Sequence, residues 1–370
     1  MEKKIFLSGY WKKNFGDDLF VKAICERYTE VSFFLETESY NKKVFMKIKN
    51  LNVIEVNNSF FSRVKRKIKN PLKSFTNYYQ LAKKVPIYVE IGGSIFILNH
   101  ISHANRALKK RVRIQKLADK YFILGSNFGP YVNNNQIKEY TDFFKLTDGV
   151  VFRDNISYNI FNDLDNVKVA PDAVLSIDVD TKENRSDFIV ISLINLENRS
   201  NFTQNIINQY ENNIHTICQY YLEKGKKVVL FGFCEYENDM ELIERIEKKI
   251  PESLHDNIIK YIHDDIDNSL DYIKKAEIIF ATRFHAMILG WLFKKPTVVF
   301  SYSNKTKNTI DYCFPDQYYL SIDKCDKLDV SILKEINNLV IPDRIRENLI
   351  ELSNEQFYFL DSYLLDKSNL

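Results

Sequence analysis

Arg283, Phe284 and His285 stand together in the stretch AEIIFATRFHAMILGWLFKKPTVVFSYSNKTKNTI, from Ala276 to Ile310. Arginine presents a planar fork of donors matched to phosphate or carboxylate. Histidine exchanges a proton near neutral pH. Lys305 adds a further cation in the same stretch. The chemistry these three could do is capture of a small anion coupled to proton transfer. The surrounding residues say how they would be positioned. Ile278–Ala281 is an apolar run that predicts a buried strand, and Thr282 can cap a helix opening directly after it. Ala286–Phe293 continues as an apolar helix that Lys294, Lys295 and Pro296 end. Thr297–Ser301 predicts the next strand and Tyr302–Lys307 a polar, basic loop. Arg283 and His285 then fall in a first helical turn, where unpaired backbone N–H groups and the helix dipole favour an anion. Lys305 falls just past a strand end, where open α/β sheets collect ligands.

Other candidates lie earlier. Gly9, Asn14 and Gly16 build a loop after a first strand, Lys4–Ser8, and Asp17 or Asp18 can cap the helix beyond that loop. Gly92-Gly93-Ser94 ends the strand Pro86–Ile91, and Arg153-Asp154 ends Gly149–Phe152. Arg153 and Asp154 could form an internal ion pair, or Arg153 could face an anion. His100 and His103 have the spacing of metal ligands without a carboxylate or thiolate beside them, which reads as a solvated pair. His215, His255 and His263 read as structural or exposed.

The elements imply the scaffold. The 370 residues suffice for about two domains. A net charge of +3 argues against a dedicated nucleic-acid binder. Five scattered cysteines suggest reduced thiols, and no stretch approaches the roughly 18–20 apolar residues of a membrane span. With no signal-peptide pattern at the start, a cytoplasmic protein is expected. Ten glycines in the chain are few, so each should sit where backbone geometry demands it. Gly9, Gly92, Gly125 and Gly232 each follow an apolar run, at strand carboxyl ends. Strand alternates with helix on both sides of the polar run 178–187. The expected class is therefore α/β: two Rossmann-like domains with parallel sheets, of GT-B type, with the active site in an interdomain cleft. The expected domains are residues 1–178, residues 187–342, and a C-terminal helix over 343–370 that packs back on the first domain.

In this order and spacing the motifs resemble the polysaccharide pyruvyl transferase family over nearly the whole chain. They are Gly9, Asn14, Gly16, Asp17 and Asp18; Gly92-Gly93-Ser94; Arg153-Asp154 with Ser157; Ala170-Pro171-Asp172; Arg283-Phe284-His285-Ala286; and Tyr302 with Lys305. Ser94 stands where many relatives carry a third glycine, which narrows that turn. The resemblance implies a transferase. It would move the enolpyruvyl unit of phosphoenolpyruvate to two hydroxyls of a sugar in a surface-glycan precursor, giving a pyruvate ketal. Phosphoenolpyruvate is then a donor substrate, with no cofactor and no metal. Arg153, Arg283 and Lys305 would hold its anionic groups. His285 would donate a proton, to C3 or to departing phosphate. Asn14, Asp17, Asp18, Gly92, Gly93 and Ser94 would meet the acceptor. Asp17 and Asp18 either cap their helix or orient the acceptor hydroxyl and take its proton.

Two basic segments, Phe60–Tyr79 and Arg106–Lys120, read as solvated faces or as surfaces for anionic headgroups at the inner membrane face. Their interleaved aromatics, Phe60, Phe61, Phe75, Tyr78 and Tyr79, suit sugars and interfaces. The acceptor would then be a free or lipid-linked glycan. The competing reading is a GT-B glycosyltransferase using a nucleotide sugar, with Glu235 or Glu237 holding ribose, because fold alone does not decide function.

Overall fold

Runs such as IYVEI, FIVISL and TVVFS are buried along nearly their full length, the pattern of parallel strands covered on both faces. The computed structural model describes residues 3–56, 78–179, 186–197, 199 and 201–365. The chain divides into two compact units. One comprises Met1–Trp11, Leu19–Ile177 and Leu352–Leu370; the other comprises Lys12–Asp18 and Asp178–Glu351.

In the first unit the strands are β1 Lys4–Ser8, β2 Ser32–Glu38, β3 Leu51–Val56, β4 Ile87–Ile91, β5 Phe96–Leu98, β6 Lys120–Ser126, β7 Phe128–Tyr131, β8 Gly149–Phe152 and β9 Val167–Val169. Seven of them form one sheet in the order β3-β2-β1-β4-β6-β8-β9, every pairing parallel. β5 and β7 form a separate parallel pair. The sequence did not announce these two short strands: FIL and FGPY carry no alternation to read. The tail adds the helix Tyr358–Leu365, whereas most of the helix before it, Asp343–Ser353, belongs to the second unit. Between them Gln356 is fully buried and donates to Phe152 O (3.1 Å) and Ala170 O (2.7 Å), while its Oε1 accepts from Gly125 N (2.8 Å). One amide thus ties the carboxyl ends of β6, β8 and β9.

The second unit holds β10 Phe188–Leu193, β11 Lys227–Gly232, β12 Ile258–Ile262, β13 Ile279–Ala281, β14 Thr297–Ser301 and β15 Tyr319–Ser321. All are parallel, in the order β12-β11-β10-β13-β14-β15. This is the Rossmann order, with its switch point between β10 and β13. The helix Gln204–Leu222 buries Ile207, Tyr210, Ile214, Ile217, Cys218 and Tyr221 at helical spacing against this sheet. Every residue of the helix Phe284–Leu292 is buried, as its continuous apolar sequence requires.

Several expectations are corrected. The helix read as Arg106–Lys120 spans Ile101–Gln115, and Lys120 opens β6. Arg111, read as part of a solvated basic face, is buried. Its Nε donates to Glu90 on β4 at 2.9 Å, and its guanidinium lies 4.5 Å from the Phe96 ring. Tyr78 is core rather than an interfacial aromatic, packed against Phe6 and Tyr88. The rest of that segment's basic and aromatic residues, from Phe60 to Phe75, lie outside the described residues. No helix among the described residues is long and apolar enough to cross a membrane.

Candidate functional site

At the switch point of the second unit, Ser192 at the end of β10 accepts from the backbone N–H of Thr282 (3.0 Å) and Arg283 (3.2 Å). This fixes the turn from β13 into the helix Phe284–Leu292. Thr282, read as that helix's cap, instead shares a hydrogen bond with Tyr210 (3.0 Å), and Arg283 takes the N-cap position. The Arg283 guanidinium is buried among carboxylates. Nε donates to Leu193 O (2.9 Å), Nη1 to Glu237 (2.7 Å) and Nη2 to Asp239 (2.6 Å). Arg199 donates to the same Glu237 at 2.8 Å. Burial raises the pKa of Asp239 against the opposing pull of Arg283. Burial would raise Glu237 as well, but Arg283 and Arg199 together hold it below its ordinary value.

Tyr302 lies near this network and near Lys305. The loop expected over Tyr302–Lys307 is shorter than that, because a helix begins at Asn304 and Lys305 is in its first turn. The Lys305 ammonium lies 5.4 Å from the Phe284 ring centre and has no ion-pair partner among the described residues. The Arg199 guanidinium lies 5.5 Å from the Tyr302 ring. Burial would raise the Tyr302 phenol, yet Lys305, Arg283 and Arg199 bring it below its ordinary value. Its oxygen therefore occupies a place where negative charge is favoured.

His285 is buried, its ring edge-on to Phe284 at 5.1 Å. A Cβ at Gly16 would run into His285 Nδ1, so only glycine lets the early turn close over this ring. That turn, Lys12–Asp18, belongs to the second unit and not to a domain spanning residues 1–178, as its place in the sequence suggests. The reason is packing. Phe15 lies against Phe231, Phe233 and His263, and its N–H donates to Phe233 O at 3.0 Å. Asn14 accepts from Gly16 N through its side chain at 3.2 Å. Asp17 is half-buried in the first turn of the helix Phe15–Arg27. Asp18, expected to face an acceptor hydroxyl, is fully enclosed, with Oδ2 3.1 Å from His263 Nε2. His263 Nδ1 meets Ser269 Oγ at 2.7 Å, and Tyr261 reaches the same hydroxyl at 3.0 Å. Burial raises the Asp18 carboxyl well above its ordinary value, with Lys13 opposing, and lowers His263 to about 3.

In the first unit, Arg153 follows β8 and is 2% exposed. It donates to Asp172 (2.8 Å) and to Asn127 Oδ1 (3.0 Å), which also accepts from Ser94 Oγ (3.3 Å). A Cβ at Gly93 would strike this guanidinium, which explains one glycine of the pair; Gly92 has φ 149°. Asp154 is not the partner of Arg153. It caps the helix Asn155–Phe161, accepting from Ser157 N at 2.8 Å. His100 and His103 are exposed. Gly93→Ala should displace the Arg153 side chain and cost about 1–3 kcal/mol, as overpacking does. Urea unfolding of that variant beside the wild type measures it.

The structure therefore gathers Asn14, Asp17, Asp18, Arg283, His285 and Lys305 in one unit, and Gly92, Gly93, Ser94 and Arg153 in the other. Sequence reasoning missed Arg199, His263 and Asp239 in the first group and Asn127 in the second. None lies in a stretch with a recognisable pattern, and contacts across the fold reveal them.

The fold is that of GT-B glycosyltransferases and sugar-nucleotide epimerases. Anabaena Alr3699/HepE, solved with UDP-glucose, is 12% identical over 100% of both chains, with a TM-score of 0.58. The UDP-N-acetylglucosamine 2-epimerase of Rickettsia bellii is 10% identical over 98% of this chain and 97% of its own, also with a TM-score of 0.58. A glycosyltransferase from Rickettsia africae ESF-5 is 12% identical over 99% of each, with a TM-score of 0.53. Curated proteins give no sequence match. The polysaccharide pyruvyl transferase profile matches residues 14–304, and the chain belongs to that family.

Proposed function

We propose that the protein transfers the enolpyruvyl unit of phosphoenolpyruvate to two hydroxyls of one sugar in a surface-glycan precursor, at the cytoplasmic face of the cell. The observation that carries this reading is the grouping of His285 and Lys305 around Phe284, with Lys305 lacking an ion pair among the described residues. A small anion would supply the missing partner, and a proton donor would stand beside it. Protonation of C3 makes C2 electrophilic. One sugar hydroxyl adds to C2 and loses its proton. The C2–O bond to phosphate breaks, and the neighbouring hydroxyl closes the ketal on C2, its proton passing to the departing phosphate. One phosphate leaves for each ketal formed. His285 is the proposed proton donor. Lys305 is the proposed cation for the donor's anionic groups. Arg283, saturated by Asp239, Glu237 and Leu193 O, acts through position and positive potential. Side chains balance the donor's charge, so the reaction is written without a metal. Asn14 and Asp17 are assigned to the acceptor. Asp18 acts on it only by fixing their turn.

The test is phosphate release from phosphoenolpyruvate by purified protein offered galactosyl and N-acetylhexosaminyl acceptors, with calorimetry for donor binding. No release across the panel and no donor binding would overturn the reading. Thermal stabilisation by UDP-sugars but not by phosphoenolpyruvate would favour the glycosyltransferase instead. Lys305→Met should weaken phosphoenolpyruvate binding about ten- to a hundredfold, the worth of one charge-assisted hydrogen bond. Unchanged affinity in the same calorimetry would remove Lys305 from the donor site.

A further inference from the structure

The small β5–β7 pair ends in an apolar tip. Ile97 is 47% exposed, Ile101 51%, Tyr131 39% and Val132 52%. Strand pairing brings them together, since Leu98 is in register with Tyr131 and Ile101 opens the helix three residues beyond β5. Single exposed apolar residues are ordinary on a protein surface, whereas a contiguous group of large ones marks an interaction site.

Cations flank the tip. Arg106, Lys109 and Arg113 are exposed at helical spacing on the helix Ile101–Gln115, and Lys116 comes directly after it. None of the four has an ion-pair partner among the described residues. No Asp or Glu occurs between Glu90 and Asp119, or between Asp119 and Glu139. The one basic residue of the helix that is paired, Arg111, points inward to Glu90. An apolar tip beside a basic stripe with no acidic residue is the chemistry of a surface that dips into a bilayer and rests on anionic headgroups.

We propose that this face of the first unit docks on an anionic lipid bilayer, with Ile97, Ile101, Tyr131 and Val132 inserted among the acyl chains and Arg106, Lys109 and Arg113 on the headgroups. β5 starts just past Ser94 and β7 directly after Asn127. At about 3.3 Å per residue, the tip lies roughly 10–13 Å along the strands from the Ser94–Asn127–Arg153 cluster. A docked tip would hold that cluster at the depth of a sugar carried on a membrane lipid. This last step rests on the proposed reaction; the docking does not.

The test is co-sedimentation of the full chain with phosphatidylglycerol-containing vesicles and with pure phosphatidylcholine vesicles. Binding should require the anionic lipid and weaken as salt rises. Each basic side chain near the surface contributes about fivefold, so the triple variant R106Q/K109Q/R113Q should bind on the order of a hundredfold more weakly. The triple variant I97S/I101S/V132S should lose at least tenfold, and its exposed positions leave the thermal transition in place. Equal binding to both vesicle types, no binding to either, or wild-type binding by either variant would overturn the proposal. Self-association that the apolar variant abolishes, without vesicle binding, would overturn it too and assign the tip to a second copy of the chain. Because the readout is lipid binding, failure here leaves the proposed reaction standing, and failure of the reaction leaves the docking standing.

Discussion

His285→Ala is expected to slow phosphate release from phosphoenolpyruvate by about 10²–10³, carried by kcat rather than KM. The ring packs edge-on against Phe284, and the Lys305 ammonium lies over the same Phe284 ring, which is why a donor held by that lysine is proposed to meet the imidazole. Proton transfer is needed in the transition state and not for binding, hence the split between the two constants. A second variant separates the ring's chemistry from the packing lost with it. Gly16→Ala keeps the imidazole but places a methyl group on Nδ1, which must push the ring aside. It should lower kcat to a comparable extent. His285→Gln, similar in reach but without a titrating proton, should stay as slow as alanine. Activity within threefold of wild type for both His285 variants would remove the ring from the chemistry. If Gly16→Ala alone were slow, the turn would matter and the ring would not.

The parallel strands were legible because burial on both faces leaves β-branched runs such as TVVFS that nothing else produces. The motif glycines were legible as constraints, though not their purpose. Gly16 makes room for a ring 269 positions away, and Gly93 for a guanidinium just past another strand. Partner identity was illegible in general. Arg283 reads as an open anion receptor from its place at a helix start. Only the folded chain brings Asp239 and Glu237 to it. Asp18 reads as a cap or a base, and its actual partner, His263, is 245 positions away. β5 and β7 were illegible for a different reason. They are too short to carry a period, and they form because the chain leaves Ser94 and Asn127 side by side.

Raising the pH above 3.8 is expected to weaken the wild-type protein relative to the Asp18→Asn variant, because the buried Asp18 keeps a proton that the unfolded carboxyl gives up. Folded, the buried pair holds one proton. Asp18 is raised well above its ordinary 3.8 and His263 is lowered from 6.5 to about 3, both by burial. The surrounding charges are Lys13, Asp264 and Asp265. Whether the proton rests on oxygen or on nitrogen does not change the count. Unfolded, the two groups hold two protons below 3.8, one between 3.8 and 6.5, and none above 6.5. The raised Asp18 carboxyl therefore lowers stability as the pH rises above 3.8, against the gain that the lowered His263 gives between about 3 and 6.5. Asparagine mimics the protonated carboxyl and takes up nothing, so its curve keeps the His263 gain and lacks the Asp18 fall. The thiols of Cys25, Cys218 and Cys234, raised by burial, add a decline at higher pH that both proteins share. The difference between the two urea-unfolding series from pH 3.8 upward isolates the Asp18 carboxyl. Parallel curves over that interval would mean that Asp18 is ionised in the folded protein without a proton on His263. The Asn14–Asp18 turn would then be held over His285 without a shared proton.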